Sequence, residues 1–344
     1  MITGSGLAAS GGESTRNKDF SPPEDPEIRP PGSKEFPTPR LIAGSNPGEK
    51  MAREKIGFIG AGKMGSPMAR RLVEAGYKVL VHDAARDRAR ALESFGASVA
   101  DSVRSASQAD FIISMIPDDP AIEAVALGKE GVLENAPPGA VYLDLSTVSP
   151  SVSSRVAEAA AGRGVSYLRG AVSGSTQFAR EGTLTILISG PEEVYRRCAP
   201  VLGVLGKKSF YVGPAEEART LKLLINMVVG TTAAVVAEAL AFGRKGGVDW
   251  GRMVEALGGS VVASPLLGYK IQPLKDRAIP PTFTAAQFAK DFDLALATAK
   301  ERSVPMPVTS AVRQLWSIME ATGSGEEDAW SVVFLMEKLA GLAP

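Results

Sequence analysis

The spacing of apolar residues changes character once along the ordered-looking part of the chain. Between residues 53 and about 213, short runs of branched aliphatics alternate with stretches of amphipathic helical spacing. The strand-like runs fall at 55–59, 78–82, 111–115, 140–144, 165–168, 184–188 and 209–212. Helical stretches separate the first four, which argues for a parallel, doubly wound sheet. The runs are apolar on both faces, as in a sheet covered by helices on each side. Gly213-Pro214 closes the alternation. From Ala215 to about Arg244 one helical pattern continues unbroken, about thirty residues or 45 Å long. The remainder is helical in character, punctuated by Gly-Gly, Pro-Pro and Pro-x-Pro turns.

A run of thirty helical residues also suits a membrane span, but Glu216, Glu217, Arg219, Lys222, Glu238 and Arg244 argue against that. The pattern instead predicts a buried helix at a domain junction. Long helices in that position commonly join subunits, so a homodimer or homotetramer is expected. Residues 1–52 carry Gly, Pro, Ser and charge without apolar periodicity, as in Ser21-Pro22-Pro23-Glu24-Asp25-Pro26. Such a segment cannot bury enough surface to offset its ordering entropy, and it reads as a disordered extension. Met51 is a candidate functional start.

The first strand-like run leads into Gly60-Ala61-Gly62-Lys63-Met64-Gly65, and a helical run, Ser66 to Gly76, follows. Strand, glycine turn and helix in that order form a dinucleotide-binding fingerprint. The first glycine allows the tight turn, the second lets backbone approach a pyrophosphate, and the third lets helix pack on strand. The second run ends at Asp83, about twenty residues on, where the fingerprint places an acid for ribose hydroxyls. The expected architecture is therefore a Rossmann-type α/β domain over 53–213 and an all-α domain over 214–344. The site is expected in the cleft between them.

Composition narrows the chemistry. Lys plus Arg equals Asp plus Glu at 38 each in 344 residues, so no global field draws the chain to nucleic acid or membrane. Cys198 is the single cysteine, compatible with a reducing, cytoplasmic compartment. His82 is the single histidine, which excludes His-dependent triads and multi-histidine metal sites. No metal is expected. His82 itself is placed to contact adenosine, to pack, or to face solvent.

Three further segments bear chemistry. Asp144-Leu145-Ser146-Thr147 follows the fourth strand, where loops line the ligand crevice. Ser146 and Thr147 either donate to a nicotinamide or substrate, or cap the helix starting near Pro150. Val172-Ser173-Gly174-Ser175 is a small polar turn able to cradle a carboxylate, although many such turns bind nothing. Lys222 and Asn226 lie four apart on one face of the long helix. They mark a salt bridge, a solvent-facing stripe, or a site in which desolvation tunes the lysine for acid–base work.

Taken together, these segments resemble the beta-hydroxyacid dehydrogenase family, of the 3-hydroxyisobutyrate dehydrogenase and tartronate semialdehyde reductase type. The matching residues are Gly57 to Gly65, Met115-Ile116-Pro117-Asp118, Asp144 to Thr147, Val172-Ser173-Gly174, Lys222 with Asn226, Lys290-Asp291 and Pro305-Met306-Pro307. The resemblance implies reversible hydride transfer between a nicotinamide and a small carboxylic acid bearing a hydroxyl. It makes Lys222 the general acid/base and Asn226 the amide positioning it and the reacting oxygen. Ser173 and Gly174 become the carboxylate-binding turn. Thr147, Ile116, Pro117 and Lys290 become cofactor contacts beside Gly60, Ala61, Gly62, Lys63, Met64, Gly65 and Asp83, and Phe283 a pocket wall.

Departures from the family pattern are Arg169-Gly170-Ala171 in place of Asp-Ala-Pro, Ser175 in place of glycine, and Ile225 in place of asparagine. They leave the substrate open, and Arg169 either adds a cationic contact or points to solvent. NADP-preferring relatives carry Asn-Arg-Thr where this chain has Asp83-Ala84-Ala85, so NAD is expected over NADP. An imine reductase and a non-catalytic nucleotide-binding scaffold are the alternatives, and both commonly lack the lysine.

Overall fold

The structure is a computed structural model that describes residues 54–343; the extension over residues 1–52 lies outside them. Eight strands form one sheet in the order β3-β2-β1-β4-β5-β6-β7-β8. They are β1 Lys55–Ile59, β2 Lys78–His82, β3 Ser98–Val99, β4 Phe111–Ser114, β5 Val141–Asp144, β6 Ser166–Ser173, β7 Leu184–Ser189 and β8 Gly206–Gly213. Every neighbouring pair is parallel except β6 and β7. The order reverses at β1 and β4, so their carboxyl ends open a crevice at the topological switch point.

Strand alternation sends Ile56 and Phe58 to one face of the sheet, where they pack with Met68, Leu72 and Leu202. These come from helices α1 (Gly65–Glu74) and, further on, the Glu192–Leu205 helix. Ile59, Ile112 and Tyr142 lie on the other face with Val152 and Val156 of α2 (Pro150–Ala161). The Glu192–Leu205 helix, α3, carries Cys198 into the first core, where burial pushes its thiol up to about 12. It is a packing residue.

Two elements differ from the sequence expectation. The two-residue β3 was not anticipated, because a bridge that short has no periodicity to detect. β6 runs on through Val172 and Ser173, beyond the expected end at 168, and turns back antiparallel onto β7. Only ten residues join the two strands, including a short helix over Thr176–Glu181. A connection that short cannot carry a parallel crossover over a sheet face, so the strands pair antiparallel.

After β8 the chain enters α4, Glu217–Lys245, of 29 residues. By length and composition it is the one helix among the described residues able to cross a bilayer. Here it packs along β6, β7 and most of the helices that follow. These are α5 (Trp250–Gly259), α6 (Pro265–Lys275), α7 (Ala285–Glu301), α8 (Pro307–Ala321) and α9 (Val332–Leu339). Phe288, Phe292 and Trp316 form the aromatic centre of this helical part. Gly230 lets α7 approach α4 closely, since a Cβ there would stand 2.6 Å from the Phe292 ring. The expectation of a buried helix holds for one face only: Leu223, Asn226, Gly230, Ala233, Ala237 and Leu240 are buried, whereas Leu224, Val228, Val235 and Phe242 are exposed.

Candidate active site

The glycine turn sits at the end of β1, and its three glycines meet three different surroundings. Gly60 has a φ of 98°, and a Cβ there would lie 2.3 Å from the Met115 carbonyl oxygen. A Cβ on Gly65 would lie 1.9 Å from the Gly60 carbonyl oxygen, so that glycine seals helix against strand. Gly62 has nothing within 4 Å of its would-be Cβ. The second glycine therefore faces open space, on the side where a pyrophosphate would approach. Helix α1 has no side-chain N-cap and no acid in its first turn, which leaves its N-terminal N–H groups for an anion. A cavity of about 500 Å³ opens here, lined in part by Gly62, exposed Lys63, Ser66 and Arg88. Met64 and Ala61 complete the turn, Ala61 buried and Met64 packed on the sheet core. These residues fit a dinucleotide.

Asp83 is fixed rather than free. Its Oδ2 accepts the Ala61 N–H at 2.7 Å and its Oδ1 the Ala85 N–H at 2.8 Å. Arg88 reaches to 3.9 Å from the same Oδ1. The carboxylate thus ties the end of β2 to the glycine turn. His82 Nδ1 lies 3.2 Å from the Ala100 carbonyl oxygen, which places it against the neighbouring strand end.

Across the crevice, the Ile116 N–H donates to Ser146 Oγ at 3.0 Å, and Ser146 Oγ donates to Asp144 Oδ1 at 2.5 Å. Ser146 therefore holds the Ile116–Pro117 loop, with Pro117 exposed at its tip. The capping alternative falls to a different residue: Ser149 Oγ accepts the Val152 N–H and starts α2. Thr147 is half-buried, and its carbonyl oxygen accepts Lys290 Nζ at 2.7 Å.

Asp144 belongs to a buried polar cluster centred on Arg219, in the first turn of α4. The guanidinium donates to Asp144 Oδ2, to Tyr167 Oη at 3.0 Å and to Ser153 Oγ at 3.2 Å. It also donates to the Ser146 and Gly170 carbonyls at 2.7 and 2.6 Å. All five N–H donors are satisfied. Burial alone would lower the Arg219 pKa, but Asp144 and Tyr167 outweigh that and raise it. Burial pushes the Tyr142 and Tyr167 hydroxyls up, so both stay neutral.

One turn beyond Arg219, Lys222 is half-buried and enters no ion pair or hydrogen bond among the described residues. Desolvation lowers its pKa; Asp291 pulls it back up and Lys290 presses it down. Asn226 is buried and its Nδ2 donates to Asp291 Oδ2. Lys290 Nζ stands 3.0 Å from Asp291 Oδ1. The structure thus links Asn226, Asp291, Lys290, Thr147, Ser146 and Ile116 in one chain of contacts, with Lys222 one turn before Asn226 and within the electrostatic influence of Asp291; the chain ends beside Gly60, whose Cβ would stand 3.0 Å from Ile116 Cγ2.

Ser173 and Gly174 stand apart from that chain. Ser173 ends β6, Gly174 has a φ of 135°, and neither the Ser173 nor the Ser175 hydroxyl has a hydrogen-bond partner among the described residues. Their link to α4 is through packing, with Ile225 and Leu221 against Ala171. Phe283 packs edge-on to Phe288 at 4.6 Å in the helical core. Arg169 does not point to solvent: its Nε donates to Glu216 Oε1 at 2.8 Å, and both side chains are largely buried. Sequence reasoning missed Arg219, Asp144 and Asp291 as site builders. Arg219 weighed only as a charge against a membrane span, though a charge in an apolar helix was the available signal.

A strand, glycine turn and helix suited to a dinucleotide, with a desolvated lysine on the helical side, are the features of an NAD(P)-dependent oxidoreductase. Residues 55–213 match the family described as the NAD binding domain of 6-phosphogluconate dehydrogenase. Residues 217–336 match the NAD-binding region of NADP-dependent 3-hydroxyisobutyrate dehydrogenase. The chain is 35% identical over 295 residues to 2-(hydroxymethyl)glutarate dehydrogenase of Eubacterium barkeri, covering 84% of this chain and 97% of the relative. It is 34% identical over 287 residues to 2-hydroxy-3-oxopropionate reductase of Escherichia coli (strain K12), covering 83% and 98%. A solved structure of Mycobacterium tuberculosis 3-hydroxyisobutyrate dehydrogenase with L-serine superimposes with a TM-score of 0.75 at 26% identity, over 82% of this chain and 99% of that one. The chain belongs to the beta-hydroxyacid dehydrogenase family.

Proposed function

We propose that the protein reversibly oxidises a small beta-hydroxy acid to its semialdehyde or oxo acid, with Lys222 moving the proton. The observation that carries this reading is a half-buried lysine with no ion pair among the described residues, its pKa lowered by desolvation, one turn beyond the Arg219 that binds the Ser146 carbonyl after β5. When bound, the nicotinamide accepts or returns the hydride. In oxidation the neutral Lys222 amine takes the hydroxyl proton as the C–H hydride leaves and the carbonyl forms. In reduction the ammonium gives that proton to the carbonyl oxygen. Asp291 holds Asn226 by its amide nitrogen, which leaves the Asn226 carbonyl oxygen to accept the reacting hydroxyl. Ser173, Gly174 and the free hydroxyl of Ser175 suit a substrate carboxylate.

In this reading Gly60 to Gly65, Asp83, Ile116, Pro117, Thr147 and Lys290 hold the cofactor. Lys290 bridges the two sides by binding the Thr147 carbonyl. Asp83 favours NAD, because a fixed carboxylate beside the ribose repels a 2′-phosphate. The nucleotide and helical domains meet at residues 213 and 214, with catalysis in the cytoplasm. Retention of Lys222 favours this chemistry over imine reduction or a scaffold role.

The test is nicotinamide absorbance with NAD, NADP and a panel of small beta-hydroxy acids and semialdehydes. Turnover on a hydroxy acid, faster with NAD, is expected. Activity confined to cyclic imines would overturn the substrate reading, and a strong NADP preference would overturn the role given to Asp83.

A further inference from the structure

Lys222 makes no ion pair or hydrogen bond among the described residues, so its place depends on the helix that carries it. Along α4, Arg219, Lys222 and Asn226 follow at three- and four-residue steps, so the three point within about 60° of one another. The residues before and after Lys222 on that face are the ones tied down. Asn226 donates to Asp291 Oδ2 of α7. Arg219 donates to five acceptors, and two of them are backbone carbonyls. Ser146 lies two residues past β5, and Gly170 lies one past Arg169, the last residue of β6 to pair with β5. The guanidinium therefore sits where the two strands part, its Nη1 at 2.7 and 2.6 Å from the two carbonyl oxygens. A pair built for charge alone would set two N–H groups on the carboxylate. Here Asp144 receives Nη2 only, and Nη1 goes to the carbonyls.

We propose that Arg219 is a positioning residue for the reaction: one guanidinium fixes the three segments that hydride and proton transfer must align. The first is its own helix, with Lys222 one turn on. The second is the loop after β5. Arg219 binds the Ser146 carbonyl there while the Ser146 hydroxyl takes the Ile116 N–H, so the Ile116–Pro117 loop is set by the same contact. Thr147, the next residue, is held from the helical side by Lys290. The third segment is β6, which leads from Gly170 to the end of the strand at Ser173 in three residues. Lys222 is thereby placed without a partner of its own, and its amine stays open to a substrate. A displacement of Arg219 would move all three segments relative to one another.

This role rests on the hydroxy-acid reading above. Single-turnover nicotinamide absorbance on the full chain compares wild type with Arg219→Lys and Tyr167→Phe. Arg219→Lys keeps a cation beside Asp144 but loses the planar fork that spans both carbonyls. Tyr167→Phe removes one acceptor from the same cluster and leaves both carbonyl contacts in place. In Arg219→Lys the transfer rate is expected to fall by about a hundredfold, the loss that a misplacement of about 1 Å brings. Its affinity for ADP-ribose, which lacks the nicotinamide, stays at the wild-type value. The pH limb of Lys222 also stays in place, because Asp291 and Lys290, the charges acting on that lysine, are untouched. Tyr167→Phe lowers the melting temperature and transfers hydride at the wild-type rate. If Arg219→Lys does not fold, Arg219→Gln with Asp144→Asn removes both charges together, and the same loss is expected. A folded Arg219 variant that transfers hydride within a few-fold of wild type would overturn this role alone. So would Tyr167→Phe slowing transfer as much as Arg219→Lys, since lost stability would then account for both. A wild type that transfers hydride from no hydroxy acid would overturn the hydroxy-acid reading and this role with it.

Discussion

Lys222 owes its chemistry to what surrounds it. Desolvation lowers its pKa, Asp291 opposes that and Lys290 adds to it. The oxidation rate should therefore rise with pH along a limb set below the ordinary lysine value, because only the neutral amine accepts a proton. Removing the Asp291 charge removes the influence that raises the lysine pKa. Asp291→Asn should thus shift the limb to lower pH, as read from kcat against pH at saturating substrate; a shift to higher pH would contradict the assigned pairing. At this scale the sequence was informative where one residue carries its own signal. Lys222 and Asn226 stood out as polar groups on an apolar helix, and Lys290 through its resemblance. Asp291 was quoted beside Lys290 but given no task, because its contact with Asn226 spans 65 positions. Arg169 was readable as unusual, yet its partner Glu216, 47 residues on, was not.

Single elements are held in place by a few contacts with separable effects. In the glycine turn, a Cβ on Gly60 or Gly65 would strike backbone, whereas one on Gly62 would meet open space. Gly60→Ala places a side chain at positive φ against a carbonyl and should cost about 1–3 kcal/mol of stability. Gly62→Ala meets no protein atom, so it should leave the melting temperature unchanged while weakening cofactor binding by about tenfold or more, about 1.4 kcal/mol. Calorimetry and fluorescence titration of the two variants separate these outcomes. The junction of α4 with the sheet rests on Arg219. Arg219→Leu leaves the Asp144 carboxylate buried without its partner and should destabilise the protein by about 3–5 kcal/mol in denaturant melts. The strands of the sheet were legible from branched-aliphatic runs, except for β3. The reversal between β6 and β7 was not, since hydrophobic runs carry no direction and only the ten-residue connection decides it.

Over the whole molecule, two links join the sheet to the helical part. Lys290 to Thr147 and Arg219 to Asp144 cross between them. On the proposed function both links bear on hydride transfer, which would need the nicotinamide, the substrate carbon and Lys222 aligned at once. The overall alternation and the long helix were visible in the apolar spacing, and so was the cofactor turn. The apolar outer face of α4 was not, because apolar residues fall all round that helix and their spacing does not say which face the protein covers. Loss of the Lys290 ammonium in Lys290→Met should raise KM for the cofactor and lower kcat together, as steady-state kinetics would show. The central claim is that Lys222 moves the proton in hydride transfer, and single-turnover nicotinamide absorbance on wild type and Lys222→Ala tests it most directly. The account predicts a transfer rate lower by about 10²–10⁴-fold in the variant, with cofactor affinity retained and the pH limb gone. A variant that transfers hydride within a few-fold of wild type, with the same pH limb, would contradict it.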